Sequence, residues 1–102
     1  YMNTIIFDGE IMNDISLKET MDQVTWTSFL LNNTIRLKEG KKKSLKVRCA
    51  AFDKCAKALA SQCKKDDHIL IRGRISVKIV DDGNHKKKYF EVIIREYEKL
   101  DS

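Results

Sequence analysis

The sequence predicts an all-β fold with one short helix: a five-stranded Greek-key barrel in which the helix lies between the third and fourth strands. Two observations predict it. Several short segments alternate between apolar and polar residues, as strands do, and a single segment has apolar residues at helical spacing. A chain of 102 residues is long enough for one hydrophobic core, so we expect a single domain over residues 1–102.

The N-terminal half is predicted to contain three strands. Residues 3–11, "NTIIFDGEI", alternate between an apolar and a charged face, and their glycine indicates a bend or a close backbone approach. Residues 12–21 have no clear period and are interpreted as a connection. The segments 23–33 and 45–52 have strand composition and flank the basic stretch 34–44, which is therefore predicted to be a hairpin loop.

A helix and two strands are predicted to follow. Residues 54–64 place cysteine, alanine and leucine on one helical face, and Asp53 is suited to cap the N-terminus. Strands 68–80 and 89–97 are separated by a turn with an Asp-Gly signal at 81–88. This order of elements describes the oligonucleotide/oligosaccharide-binding (OB) fold, although chain order alone leaves other small barrels open.

The fourth predicted strand carries two arginines around a glycine in an otherwise apolar run. Strict alternation predicts one set of residues facing the core: Ile71, Gly73, Ile75, Val77 and Ile79. It predicts the other set facing outward: Arg72, Arg74, Ser76 and Lys78. Gly73 is interpreted as structural, because a small barrel must curve sharply.

Charge is distributed unevenly along the chain. The formal net charge is +5, yet residues 1–23 contain five acidic residues and only one lysine. Residues 36–48 contain seven basic residues and only one glutamate. A separated positive patch favours polyanions such as nucleic acid, whereas the simpler interpretation is a solvated lysine-rich loop.

Three segments resemble the bacterial single-stranded DNA-binding protein family. "NTIIFDGEI" resembles its opening strand, "AAFDKCAKALASQCKKDDHILIRGRI" its central helix and following Gly-Arg strand, and "DDGNHKKKYFEVII" its last hairpin. The segments occur in the correct order, and the resemblance covers nearly all of residues 2–100. It implies a barrel whose outer surface and hairpins bind single-stranded DNA by stacking and phosphate contacts, usually in a homotetramer.

The resemblance also implies particular site residues. Phe52 matches the family's stacking phenylalanine after the third strand, and Tyr89 matches an aromatic residue of the last strand. Lys46 and Ile79 stand where better-known members have tryptophan, which implies weaker and more salt-sensitive binding. We expect aromatic stacking by Trp26, Phe52 and Tyr89. We expect electrostatic contacts from Arg36, Lys41, Lys42, Lys43, Lys46, Arg48, Arg72, Arg74, Lys78, Lys86, Lys87 and Lys88.

Simpler interpretations stay open for the two arginines of the fourth strand. Both can be solvated without binding any partner. Alternatively, Arg72 and Arg74 can form surface ion pairs, for which Asp66 and Asp67 are the nearest acidic residues in the sequence. Either alternative would remove these arginines from a binding surface.

The aromatic residues also have structural alternatives. A lone tryptophan in a strand is often half-buried core, which is the alternative for Trp26. The register of residues 24–31 is not fixed by the sequence, so Phe29 has the same ambiguity. Phe7 and Phe90 are predicted to lie in the core.

No metal site, cofactor or catalytic centre is predicted. The cysteine and histidine residues lack the close pairs of a zinc site: Cys49, Cys55, Cys63, His68 and His85. We therefore expect a binding protein rather than an enzyme. The odd cysteine count, with no signal peptide and no apolar run of membrane length, predicts a cytoplasmic, nucleoid-associated protein.

The predicted function is binding of single-stranded DNA with little sequence specificity, in replication, recombination or repair. The alternatives are an OB-fold structural or interaction subunit of a larger assembly, and an RNA-binding OB domain. We expect a homo-oligomer, a dimer or tetramer paired through the first strand, where Ile6 faces outward, and replication or recombination proteins as possible partners. The chain stops at "EKLDS", without the family's acidic tail. That ending suggests truncation, or a tail-less relative resembling primosomal protein N or a phage or plasmid paralogue.

Overall fold

The computed structural model, which describes residues 2–100, forms one sheet that closes on itself. In chain order its elements are β1 (Ile5–Ile11), β2 (Lys18–Glu19), β3 (Thr25–Arg36), a 3-10 turn (Lys38–Gly40), β4 (Lys42–Phe52), α1 (Asp53–Gln62), β5 (His68–Asp81) and β6 (Lys86–Leu100). The strand order is β1-β5-β6-β4-β3-β2, and β1 also pairs with β3. The additional pairing closes five long strands into a barrel with α1 between β4 and β5, so the predicted OB fold is confirmed.

Two long hairpins extend beyond the barrel. Pairing between β3 and β4 continues to Arg36 opposite Lys42, so most of the predicted loop 34–44 is strand. Pairing between β5 and β6 continues to Asp81 opposite Lys86. We call these extensions the β3–β4 arm and the β5–β6 arm. Their ends were predicted too short, because a strand with water on both faces loses the apolar alternation that marks a buried strand.

Smaller elements also differ from the sequence prediction. The connection 12–21 contains β2, whose two residues pair with β3. Asp53 is the first residue of α1, at φ 52°, rather than a residue preceding it, and no side chain caps that end of the helix. Among residues 2–100, no helix is long and apolar enough to cross a membrane.

The core fills the barrel and reaches the inner face of α1. Its buried side chains include Ile11, Phe29, Leu31, Cys49, Ala56, Leu59, Ile69, Ile71, Val92 and Ile94. Phe29 is only 3% exposed, which resolves its register, and Phe7 packs against the core as predicted. Burial raises the pKa of the Cys49 thiol to about 12, with a further contribution from the Glu91 carboxylate. The thiol is therefore protonated and unreactive at neutral pH.

The prediction that the apolar residues of β5 all face the core is wrong beyond Gly73. Ile75, Val77 and Ile79 lie on the predicted side of the strand but are exposed. Phe90, predicted to be core, pairs with Val77 and is 73% exposed. The physical reason is that the barrel ends near Gly73. In the β5–β6 arm, none of residues 2–100 covers the side that continues the barrel interior.

Two glycines allow strands to approach where the barrel closes. A Cβ added to Gly9 would lie 2.6 Å from the backbone oxygen of Asn32, where β1 meets β3. A Cβ added to Gly73 would overlap the backbone of Ile93, next to a bulge in the pairing of β5 with β6. Any larger residue requires the backbone to move at these positions.

We predict that Gly9→Ala lowers the free energy of unfolding by about 1–3 kcal/mol, because the new methyl group would collide with the backbone oxygen of Asn32 as well as with the Leu31 side chain. Urea denaturation measures the change. Glu10→Ala is the matched control on the same strand, since its exposed side chain should alter stability by no more than about 0.5 kcal/mol. Equal effects of the two substitutions would show that the closure does not depend on Gly9.

Candidate nucleic-acid interface

Alternation along β3 and β4 fixes which of their side chains point away from the barrel. Trp26 lies directly opposite Phe52, and Leu30 lies opposite Arg48. Phe29 and Cys49, one position away, are buried, so the first four side chains face outward. Phe52 is 42% exposed, and Trp26 is half-buried.

The outward surface continues from β4 across β6 to β5. The parallel pairing of β4 with β6 aligns Ala50 with Ile93, and Arg48 Nε contacts Glu91 Oε2 at 3.2 Å. The register of β5 and β6 gives the outward-facing pairs on these two strands: Arg74 with Ile93, Ser76 with Glu91, Lys78 with Tyr89, and Val80 with Lys87. We call the whole outward surface of β3, β4, β6 and β5 the outer face.

Phe52 borders two of the hollows on the outer face. The first, of about 330 Å³, is lined by Thr20, Trp26, Ala50, Phe52, Lys78 and Glu91. We call it the aromatic hollow. The second, of about 260 Å³, is lined by Phe52, Arg74, Ile93, Ile94 and Arg95. Both therefore combine an aromatic ring with cations, which are the groups that contact the bases and phosphates of unpaired nucleic acid.

Lys18 of β2 lies over the ring of Trp26, which lines the aromatic hollow. It pairs with Trp26 across the strands, and its Nζ lies 4.9 Å from the centroid of the indole ring. A cation over a ring face is a stabilising contact and limits the positions that the ring adopts. Trp26 is thus held between Lys18 on one strand and Phe52 on the other.

The structure brings most of the predicted site residues together. The outer face contains Trp26, Arg36, Lys42, Lys46, Arg48, Phe52, Arg74, Lys78, Lys87 and Tyr89. The opposite faces of the two arms contain Lys43, Lys86 and Lys88, and Lys41 lies in the turn between β3 and β4. The last four lysines surround the surface rather than line it.

Arg72 also points outward on β5, but it lies beside Ile6 and Glu96, whereas Arg74 lies beside Phe52. Arg72 pairs with Ile6 of β1 and forms an ion pair of 3.8 Å with Glu96. The alternative of a surface ion pair therefore holds for Arg72, but its partner is Glu96 rather than Asp66 or Asp67. Asp67 contacts Lys99 and the backbone of Lys64 instead. The chain brings Glu96 directly opposite Arg72 in the β5–β6 ladder, a register that sequence proximity does not reveal.

Three residues that line the aromatic hollow were not predicted: Thr20, Ala50 and Glu91. Lys18, which lies over the Trp26 ring, was not predicted either. The sequence did indicate the orientation of Glu91, because it lies two residues from Tyr89 on the same strand and therefore shares its outward face. Lys18 and Thr20 had no such indication, since β2 has only two residues and is too short to show an alternating pattern. Within residues 2–100, no three histidine, cysteine, aspartate or glutamate side chains are grouped to hold a metal ion.

A closed OB barrel with rings and cations on one face defines a domain whose surface suits unpaired nucleic acid. Residues 2–100 match the sequence profile of the single-strand binding protein family, and the chain belongs to that family. The resemblance noted in the sequence is thereby confirmed.

Known relatives and a solved structure agree with this assignment. The chain is 26% identical over 97 residues to single-stranded DNA-binding protein 1 of Streptococcus pyogenes serotype M18, covering 93% of this chain and 75% of that protein. It is 27% identical over 104 residues to single-stranded DNA-binding protein 2 of the same strain. This match covers 99% of this chain and 64% of that protein. The fold matches that of the Plasmodium falciparum SSB in a complex with ssDNA, with a TM-score of 0.86 and 17% identity. The match covers 99% of this chain and 96% of that chain.

Proposed function

We propose that this chain binds single-stranded DNA along the outer face, with little overall sequence preference. Membership of the single-strand binding protein family supports the ligand class. The observation that carries the choice of surface is the Trp26–Phe52 pair. Both rings border the aromatic hollow beside Lys78, and Phe52 also borders the second hollow beside Arg74. Base–aromatic stacking contributes about 1–3 kcal/mol per base and tolerates any base, because every base has a π-face.

The cations of the outer face supply the second part of the proposed binding. Lys42 and Lys46 line the β3–β4 arm, Arg48 and Arg74 lie near the barrel, and Lys78 lies on the β5–β6 arm. Phosphates that pass along this path displace counterions from the DNA, which favours binding at low salt. Lys46 occupies an outer-face position where better-known relatives have tryptophan, so charge contributes more here than stacking does.

We further propose the setting of this activity. The protein would bind DNA without catalysis and without a cofactor. It would act in the cytoplasm, in DNA replication, recombination or repair, and proteins of those processes are its possible partners. Three free cysteines are typical of a reducing compartment. Ile6 is 55% exposed on β1, and an apolar side chain there supports a dimer or tetramer paired through that strand.

Fluorescence anisotropy of a labelled oligo-dT tests the proposed surface. We predict that Phe52→Ala weakens binding about 5- to 100-fold, because one stacked base is lost. Phe90→Ala is the matched control: it also removes an exposed phenylalanine, but from the opposite face of the β5–β6 arm, and should bind as the unmodified protein does.

The same titration distinguishes the alternatives. A protein that binds neither oligo-dT nor oligo-U would be an interaction subunit rather than a nucleic-acid binder. Tighter binding of oligo-U than of a matched oligo-dU would identify an RNA-binding domain, because the two oligomers differ only in the 2′-hydroxyl. A loss with Phe90→Ala and none with Phe52→Ala would place the binding surface on the opposite face.

The salt dependence of oligo-dT binding tests the cation path. We predict that Arg74→Ala reduces the slope of log K against log salt by about 0.7, the value for one phosphate of a single strand. Arg72→Ala should reduce it less, since Glu96 already neutralises part of that charge. Lys57→Ala, on the exposed side of α1, is the control and should leave the slope unchanged. An unchanged slope in Arg74→Ala would remove that residue from the path.

A further inference from the structure

The aromatic hollow contains a carboxylate, which is an unexpected group in a surface for a polyanion. Glu91 lines the hollow with Trp26 and Phe52, and its side chain is only 12% exposed. Phosphate groups would be repelled at this position, and the charge is not located on a rim where water and salt would screen it. Its presence therefore requires an explanation other than phosphate binding.

Arg48 determines how this carboxylate is presented. The Arg48 Nε donates a hydrogen bond to Glu91 Oε2 at 3.2 Å, which holds the Glu91 side chain against the surface of the sheet on the outer face. No other side-chain hydrogen bond reaches Glu91 in the part of the chain that the structure describes. An ionised carboxylate accepts up to about four hydrogen bonds, so Glu91 retains acceptor capacity toward the hollow.

The other walls of the hollow suit the flat faces of a nucleobase. Trp26 and Phe52 form the cross-strand aromatic pair, and Lys18 covers the indole from the far side. Ala50 supplies a small floor residue, and Lys78 supplies a cation at the edge. A base that stacks on these rings would lie beside the Glu91 carboxylate, which lines the same hollow.

The edges of the bases respond to a carboxylate in opposite ways. Cytosine carries an amino donor at N4, and carboxylates accept hydrogen bonds from it, whereas thymine and uracil present the O4 acceptor at the same place. Two acceptors facing each other repel, and the buried carboxylate would lose its water without compensation. Adenine and guanine also carry amino donors.

We propose that Glu91 makes the aromatic hollow a base-selective subsite, which accepts bases with an exocyclic amino group in preference to thymine or uracil. The preference applies to the one base held there and is compatible with little selectivity along the rest of the strand. It rests on the proposed single-stranded DNA binding and deepens it, since it assigns a base-reading role to one residue of the outer face.

The test compares oligo-dC with oligo-dU of equal length by anisotropy, at slightly alkaline pH where cytosine stays unprotonated. These oligomers lack the thymine methyl group and differ at the edge that Glu91 would contact. Relative to the unmodified protein, Glu91→Met should lower the preference for oligo-dC over oligo-dU by about tenfold, the effect of one hydrogen bond to a charged group. Glu91→Gln should lower it by about threefold, because the amide keeps a neutral acceptor and the contact with Arg48.

Glu96→Met is the matched control. Glu96 is also a carboxylate of β6 paired with an arginine, but it lies outside the hollow, so its removal changes charge without changing the dC-to-dU ratio. An identical ratio in the unmodified protein, Glu91→Gln and Glu91→Met would overturn the proposal and leave DNA binding intact. A shifted ratio in Glu96→Met of the same size would also overturn it, because net charge would then explain the effect. If the unmodified protein binds neither oligomer, the proposed function itself fails.

Discussion

Closure of the sheet between β1 and β3 is the constraint on which the surface depends. The contact requires glycine at position 9, where the backbone of Asn32 leaves no room for a side chain. Once the barrel closes, Phe29 and Cys49 belong to the interior, and alternation then assigns Trp26 and Phe52 to the outside. The position of the aromatic pair thus follows from the core rather than from any contact between the two rings.

The outer face combines three kinds of interaction in one path. Rings offer a stacking surface, cations offer contacts for phosphates, and the Glu91 carboxylate orients Arg48. Because the Arg48 side chain is partly exposed, this ion pair contributes little to stability, and its main effect is to orient the arginine. The same carboxylate reduces the local positive potential of the outer face.

Elements with one buried face were predicted correctly, because burial of one face imposes an alternating or helical pattern on the sequence. The prediction was wrong where a strand continues beyond the core. The first strand, the central helix and the outward side of Arg74 follow from periodicity. Phe90 was misplaced because periodicity indicates a face of the strand but not whether anything covers it. Trp26 could not be placed, since residues around it are apolar or β-branched on both faces. Lys18 lies on β2, whose two residues are too few to show the alternation that marks a strand.

The central claim is that unpaired DNA lies on the outer face rather than on the opposite faces of the arms. Photo-crosslinking with an oligonucleotide that carries 5-iodouracil tests it directly, because the reagent reacts with aromatic side chains in contact with the base. Mass-spectrometric mapping should find crosslinks at Trp26, Phe52 and Tyr89, which share the outer face. Crosslinks concentrated at Phe90, with none at Phe52, would contradict the account.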